Sequence, residues 1–148
     1  MYAMNNPTGI LPGILPGILI VEDEFLVALD LEEIVSQAGY RVVGIISDVK
    51  GVEALSEAPA AAFVDLNLRD GPTGGIIAKH LAAKFGTRII FVTANPSKIG
   101  ELPDTVVGML PKPFSPKAIK SSLEFALEPD SHTAPFELKV LPLDSLLH

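Results

Sequence analysis

Four apolar runs in this chain each end at a polar residue of a kind that binds ions or phosphate. Short apolar runs without interruption are typical of strands that are buried on both faces of a sheet. The four runs and their polar ends are Ile18 to Val21 with Glu22 and Asp23, Ala60 to Leu66 with Asp65, Arg88 to Val92 with Thr93, and Val106 to Leu110 with Lys112. Because the carboxyl ends of parallel strands lie at one edge of a sheet, we expect these polar groups to converge there.

Helical patterns and one further strand lie between the apolar runs. The β-branched segment Val42 to Ile46 predicts a strand, and Pro116 suits the first turn of a last helix to Leu127. The other predicted helices are Val27 to Ala38 with Gly39 as its cap, a short one from Ser47 or Asp48 to about Ser56, and Ile76 to Phe85 closed by Gly86. Strand and helix therefore alternate, which predicts an α/β fold with a doubly wound, five-stranded parallel sheet.

Composition narrows the classes of function. The formal charge is −7 and no run of Lys or Arg is present, so binding to nucleic acid through phosphate neutralisation is not expected. The chain has no cysteine, which excludes disulfides and thiolate metal sites. The apolar stretch before Glu22 contains two copies of Ile-Leu-Pro-Gly, and their prolines and glycines interrupt it too often for a membrane-spanning helix of roughly 20 residues. We therefore expect no membrane segment.

The acidic residues at the strand ends predict a metal site. Carboxylates at a separation of ~4 Å repel by about 4 kcal/mol per pair at an effective dielectric constant near 20. A divalent cation and Lys112 would offset this repulsion, and ligands that are all oxygens select a hard ion such as Mg²⁺. Asp65 stands alone at its strand end and is the best candidate for a nucleophile that forms an aspartyl phosphate, with Lys112 and Thr93 holding the phosphoryl oxygens. The alternative is that these acids only cap helices.

These motifs resemble the receiver domain of bacterial response regulators. The similar segments are "ILIVEDE", "AAFVDLNLRDGPTGG", "RIIFVTAN" and "LPKPF", and they cover about Ile18 to Leu127. The resemblance implies a flavodoxin-like fold and a cytoplasmic protein that takes a phosphoryl group on Asp65 from a histidine kinase or phosphotransfer protein. It also implies that catalysis is limited to the protein's own Mg²⁺-dependent phosphorylation and dephosphorylation, followed by altered binding to an output protein.

The resemblance further implies a role for each site residue. Asp23 would bind Mg²⁺ directly and Glu22 would bind it through water, while Asn67 would contribute its backbone carbonyl. Lys112 would pair with the phosphoryl group, and Thr93 would donate a hydrogen bond to it and move on activation.

Two features depart from the family. The aromatic residue that normally lies three positions before the lysine is here Met109, so coupling of Thr93 to an aromatic rotamer is not expected to work in the usual way. Pro96, Gly100 and Pro103 stand where the family has its fourth helix, which predicts a shortened or irregular helix there.

The sequence divides into three parts. We expect an N-terminal extension over 1–17, the receiver domain over 18–127 and a C-terminal tail over 128–148, and so short a tail favours a single-domain regulator. Alternating apolar residues at 136, 138 and 140 make the tail either an added edge strand packed on its own domain or a segment that docks a partner, including a homodimer through the tail.

Two other functions compete with phospho-acceptance. A small Mg²⁺-dependent phosphohydrolase of the haloacid dehalogenase type also uses an Asp at a strand end, but its nucleophile lies near the first strand, where this chain has its acidic pair. A receiver-fold binding module with vestigial phosphorylation is the other alternative. The presence of Glu22, Asp23, Asp65, Thr93 and Lys112 argues against lost chemistry, whereas Met109 and the weak fourth helix keep this alternative open.

Overall fold

A parallel sheet with helices on both faces forms the protein in the computed structural model, which describes residues 15–68, 73–94 and 102–141. The elements in chain order are β1 Gly17–Val21, α1 Phe25–Gln37, β2 Arg41–Ile46, α2 Val49–Glu53, β3 Ala61–Asp65, α3 Gly74–Phe85, β4 Arg88–Thr93, β5 Val106–Pro111, α4 Pro116–Leu127 and β6 Lys139–Val140. The predicted α/β fold and its five parallel strands are confirmed.

The strand order is β2-β1-β3-β4-β5-β6. The chain passes from β1 to β2 on one side and then returns to place β3 on the other side of β1. The gap between the ends of β1 and β3 is thus the topological switch point, where open α/β sheets bind ligands. The sequence puts Glu22 and Asp23 after one of these strands and Asp65 at the end of the other.

Each face of the sheet carries its own hydrophobic core. One core packs α1 and α4 against the sheet and includes Leu31, Phe63 and Ile119. The other packs α2 and α3 and includes Phe91 and Leu81. All residues of β1 and β3 are buried, which explains why these strands are apolar throughout rather than alternating.

Local signals set the helix ends. Gly39 follows α1 with a φ of 98°, a left-handed conformation that glycine adopts without steric cost. The Ser115 hydroxyl accepts a hydrogen bond from the Ala118 N–H at 3.0 Å, and Pro116 occupies the first turn of α4. The Asp48 carboxylate caps α2 in the same way, by accepting from the Gly51 N–H at 3.0 Å. These three signals are all readable in the sequence.

Two helix boundaries differ from the prediction. Helix α2 ends at Glu53 rather than near Ser56, and the Leu55 N–H closes its last turn by donating to the carbonyl of Val52 at 3.3 Å. Beyond the helix, the exposed Glu57 carboxylate pairs with the Arg41 guanidinium at 2.6 Å and 3.1 Å. Helix α3 begins at Gly74, two residues earlier than expected. The Gly74 N–H donates to the carbonyl of Leu66 at 3.2 Å, so the helix starts in contact with the end of β3.

The region predicted to hold a shortened fourth helix is only partly described. Residues 95–101 and the loop residues 69–72 lie outside the described residues, so the shape of that helix stays a prediction. Residues 102–105 lead into β5 through a turn, in which the Val106 N–H donates to the carbonyl of Pro103 at 3.1 Å.

The sheet has a sixth strand beyond the five predicted. Lys139–Val140 pairs with β5 in the antiparallel sense, in the tail segment for which an added strand was one of the two options. The predicted alternation holds only in part, since Leu138 is buried but Phe136 is fully exposed.

The N-terminal part begins the sheet one residue earlier than expected. Residues 1–14, with most of the Ile-Leu-Pro-Gly copies, lie outside the described residues. Gly17 already pairs with Arg41 and accepts a hydrogen bond from the Ala60 N–H at 2.8 Å, so it belongs to β1. Over residues 15–68, 73–94 and 102–141, every helix is too short or too polar to cross a membrane.

Candidate functional site

Three strand ends deliver charged groups to one edge of the sheet. Glu22 and Asp23 follow β1, Asp65 is the last residue of β3, and Lys112 follows β5 directly. Strands β1 and β3 are direct neighbours, and β4 lies between β3 and β5. The predicted convergence of these four residues is therefore what the sheet order produces.

Lys112 joins the two buried carboxylates. Its Nζ donates to Glu22 Oε1 and to Asp65 Oδ2, both at 3.0 Å. The side chains of Glu22 and Asp65 are 2% and 8% exposed, whereas that of Lys112 is 19% exposed, so the ammonium group lies between the buried carboxylates and the surface. Hydrogen bonds to ionised groups at a partly buried site are stronger than those between neutral groups.

The charges of this cluster are not balanced. Burial raises the pKa of Glu22 and the nearby Asp65 raises it further, and together these outweigh the hydrogen bonds from Lys112 and from the Glu24 N–H. Burial lowers the pKa of Lys112, but its hydrogen bonds to both carboxylates and their attraction outweigh burial, so that pKa is raised. The three carboxyl groups of Glu22, Asp23 and Asp65 lie beside the single ammonium group of Lys112, so by number the acids of this cluster exceed its cation.

The acidic residues fit a bound magnesium ion. Carboxylate oxygens of Glu22, Asp23 and Asp65 lie within 4.8 Å of one another. Asp23 is half-buried while the other two are buried, so the group opens to the surface at Asp23. Oxygen donors of this kind suit a hard divalent cation, and the excess negative charge gives such an ion a physical reason to bind.

Asp65 is held from several directions. Its Oδ1 accepts a hydrogen bond from the Asn67 N–H at 3.0 Å, and its Oδ2 accepts the one from Lys112. Gly74 packs directly on its backbone, since a Cβ atom on Gly74 would lie 2.0 Å from the Asp65 carbonyl oxygen and 2.7 Å from the Leu66 Cα. Sequence reasoning missed this contact, although the Gly-Gly pair at 74–75 was the available signal.

Both sequence and fold are similar to response regulators. The phyllosphere-induced regulator PhyR of Methylorubrum extorquens is 33% identical over 115 residues, which cover 74% of this chain and 43% of that protein. The receiver (REC) domain of the Erythrobacter litoralis PhyR response regulator is 26% identical with a TM-score of 0.67, over 83% of this chain and 95% of that one. A CheY-like receiver domain from Methylobacillus flagellatus is 25% identical with a TM-score of 0.66, over 76% and 98% of the two chains.

This protein contains a response-regulator receiver domain. No family model matches the chain. The chain spans less than half the length of the curated relative. An anti-anti-sigma factor PhyR from Bartonella quintana, solved as a double mutant, is 28% identical with a TM-score of 0.69, and the match covers 80% of this chain and 50% of that one. Similarity is therefore established for the receiver part of these longer proteins.

Thr93 and Met109 occupy the interior of the receiver domain. Thr93 is fully buried at the end of β4, and its carbonyl accepts the Lys112 N–H at 3.0 Å, which ties the end of β4 to the residue that binds Asp65. Met109 pairs with Phe91 and is 3% exposed in the core under α3. A buried, flexible Met therefore takes the position at which the family has its mobile aromatic ring.

Large apolar side chains lie exposed beside the acidic cluster. Phe25 and Leu26 begin α1 directly after the acids, and they are 72% and 78% exposed. Leu29, one turn along the helix, is 39% exposed. An exposed apolar surface next to a cluster of charged groups is typical of a protein-binding site. Sequence reasoning did not single out these residues, because the helix pattern that it used begins at Val27.

Proposed function

We propose that this receiver domain is a phospho-accepting response regulator that takes a phosphoryl group on Asp65. The observation that carries the proposal is the contact of Lys112 Nζ with both Asp65 and Glu22 at 3.0 Å, beside a third carboxylate. This arrangement holds one carboxylate in a fixed orientation with a cation already in place for the oxygens of an incoming phosphate.

The reaction follows from the groups present. A carboxylate oxygen of Asp65 forms a bond to phosphorus while the bond from phosphorus to the donor's histidine nitrogen breaks, and the released imidazole takes up a proton from solvent. Lys112 then pairs with the phosphoryl oxygens, and the Asn67 N–H keeps the carboxyl group oriented. Thr93 donates a hydrogen bond to the phosphoryl group and shifts with it.

Magnesium completes the proposed site. Asp23 and Asp65 would hold the ion directly, Glu22 would hold it through water, and the Asn67 backbone carbonyl would be a further ligand. When bound, Mg²⁺ neutralises charge that develops on the phosphoryl oxygens. The chain's own residues supply the rest, namely the nucleophile, its orientation and the ammonium group of Lys112.

We propose a protein as the phosphodonor, either a histidine kinase or a histidine phosphotransfer protein, and a second protein as the output partner. The exposed pair Phe25 and Leu26 at the pocket rim supports a protein donor, because a small-molecule donor needs no apolar rim. The Bartonella quintana relative described as an anti-anti-sigma factor supports an output by protein binding. We propose that this output takes place in the cytoplasm and that turnover is limited to the phosphoryl group on the domain itself.

The test is the intact mass after incubation with acetyl phosphate, with and without Mg²⁺. We expect one added phosphoryl group in the wild type with Mg²⁺, and none without the ion or in Asp65→Asn. Phe25→Ser with Leu26→Ser should leave this uptake unchanged and slow transfer from a phosphorylated histidine phosphotransfer protein. Absence of uptake in the folded wild type would favour a binding module with vestigial chemistry. Steady release of phosphate from small phosphomonoesters would favour the phosphohydrolase.

A further inference from the structure

The outer edge of β5 is closed by the chain's own tail. Gly108 and Met109 pair with Val140 and Lys139 in the antiparallel sense, and the Leu141 N–H donates to the carbonyl of Val107 at 3.0 Å. Without these contacts β5 would present unpaired backbone groups along the edge of the sheet, and such an edge readily accepts a strand from another chain. The tail therefore occupies a surface that can bind an extended segment.

The tail segment has the side chains that this edge needs. Leu138 is 4% exposed in the core under α1 and α4, and Val140 packs against the same core. Leu141 packs against the core on the opposite face of the sheet, under α2 and α3. Side chains that alternate between the two faces are what a bound β-strand requires, so residues 138–141 form one recognition segment, called here the tail strand.

Gly108 makes room for the tail strand. A Cβ atom at position 108 would lie 2.7 Å from the carbonyl oxygen of Lys139 and 3.0 Å from Leu138 Cδ1. The first of these is a backbone atom, so a larger residue at 108 would push the tail strand off the edge. The accepting surface thus depends on one glycine, while Leu138 provides the buried anchor of the segment that is accepted.

The connection to the tail strand is long and lightly held. Residues 128–138 join α4 to β6. The backbone hydrogen bonds described within it close local turns, from the Ser131 N–H to Glu128 and from the Leu138 N–H to Pro135. Phe136 is fully exposed just before the strand. Such a connection extends to roughly 36 Å, enough to carry the tail strand to a neighbouring molecule.

We propose that the β5 edge is a strand-accepting site that takes the tail strand of a second copy of this chain by exchange, as well as its own. We assign a second copy as the occupant because it offers the same four residues, 138–141, whose fit to the edge is seen in the chain's own tail. At low protein concentration the edge binds the tail strand of its own chain, because the connection from α4 holds that strand at an effective concentration on the order of mM. Exchange therefore increases with the concentration of the chain.

The test is a complementation experiment with two full-length variants. Gly108→Val closes the accepting edge but keeps an intact tail strand, and Leu138→Asp destroys the tail strand but keeps the edge. Neither variant can exchange with itself. We expect a mixture of the two to form a 1:1 complex in size-exclusion chromatography with light scattering, with an affinity about tenfold or more above the self-association of either variant alone.

Controls separate exchange from other causes. Circular dichroism of each variant checks the fold, and Leu138→Ser replaces Leu138→Asp if the charge prevents folding. In the wild type, the fraction of dimer should increase with protein concentration. Neither single variant should form this dimer. Failure of the folded variants to combine, or dimers of equal strength in the single variants and the wild type, would overturn the proposal. Neither result bears on phosphoryl uptake by Asp65.

Discussion

Substitution of Gly74 by alanine tests how closely helix α3 must approach the acceptor residue. The new Cβ atom would stand 2.0 Å from the Asp65 carbonyl oxygen, whereas ordinary contacts begin at 3.4 Å, so the helix and the end of β3 must separate by about 1.4 Å. Forcing extra atoms into a packed site costs about 1–3 kcal/mol of unfolding free energy. A displacement of ~1 Å also misplaces the reacting groups, which lowers the rate of phosphoryl uptake by about 10²-fold.

Gly75 provides a matched control for this substitution. It occupies the next position of the same helix turn, and a Cβ atom there meets no atom of residues 15–68, 73–94 and 102–141 within 4 Å. Gly75→Ala should therefore leave uptake unchanged and hold or raise stability by up to about 1 kcal/mol, since alanine restricts the unfolded chain. Urea unfolding and the rate of mass gain with acetyl phosphate measure both effects. Equal stability and equal rates in the two variants would refute the close approach of Gly74 to Asp65.

Three further substitutions probe the cluster and one helix cap. Lys112→Gln removes the cation between two buried carboxylates, and we expect the unfolding free energy measured in urea to fall by about 1–3 kcal/mol. Mg²⁺ should restore part of this loss. Equal stability of the variant and the wild type without Mg²⁺ would contradict the ion-pair geometry. Asp23→Asn should weaken Mg²⁺ binding in calorimetry by about tenfold or more with little change in stability, because Asp23 is half-buried. Ser115→Ala removes the cap on Ala118 and should cost about 1 kcal/mol in thermal unfolding; an unchanged melting temperature would argue against the cap.

The parallel sheet could be predicted because its strands are buried on both faces. Such strands appear as continuous apolar runs, and polar residues at their ends stand out against them. Alternation with helices makes the strands parallel, so their carboxyl ends share one edge of the sheet and the meeting of Glu22, Asp23, Asp65 and Lys112 could be expected from the amino-acid sequence alone. The convergence of these residues could be predicted from the residue types and from their places at the strand ends, and neither depends on side-chain packing.

What the sequence did not predict depends on contacts between distant segments. The end of α2 at Glu53 and the pairing of Glu57 with Arg41 beyond it have no signal near residue 53 in the sequence. The strand in the tail could be suspected from alternation, but its antiparallel partner β5 and the role of Gly108 are visible only in three dimensions. The Gly-Gly pair at 74–75 is a visible signal, but only the structure shows that Gly74, and not Gly75, packs on Asp65.

Identification of the residue that carries the phosphoryl group decides whether Asp65 is the acceptor. The wild type is incubated with acetyl phosphate and Mg²⁺, reduced with borohydride, which converts an aspartyl phosphate to homoserine, and mapped by peptide mass spectrometry. In the wild type we expect homoserine at position 65 and at no other acid. In Lys112→Gln we expect no homoserine, because Lys112 is proposed to bind the phosphoryl group. Homoserine at position 23, or phosphoryl uptake without any homoserine, would contradict Asp65 as the acceptor.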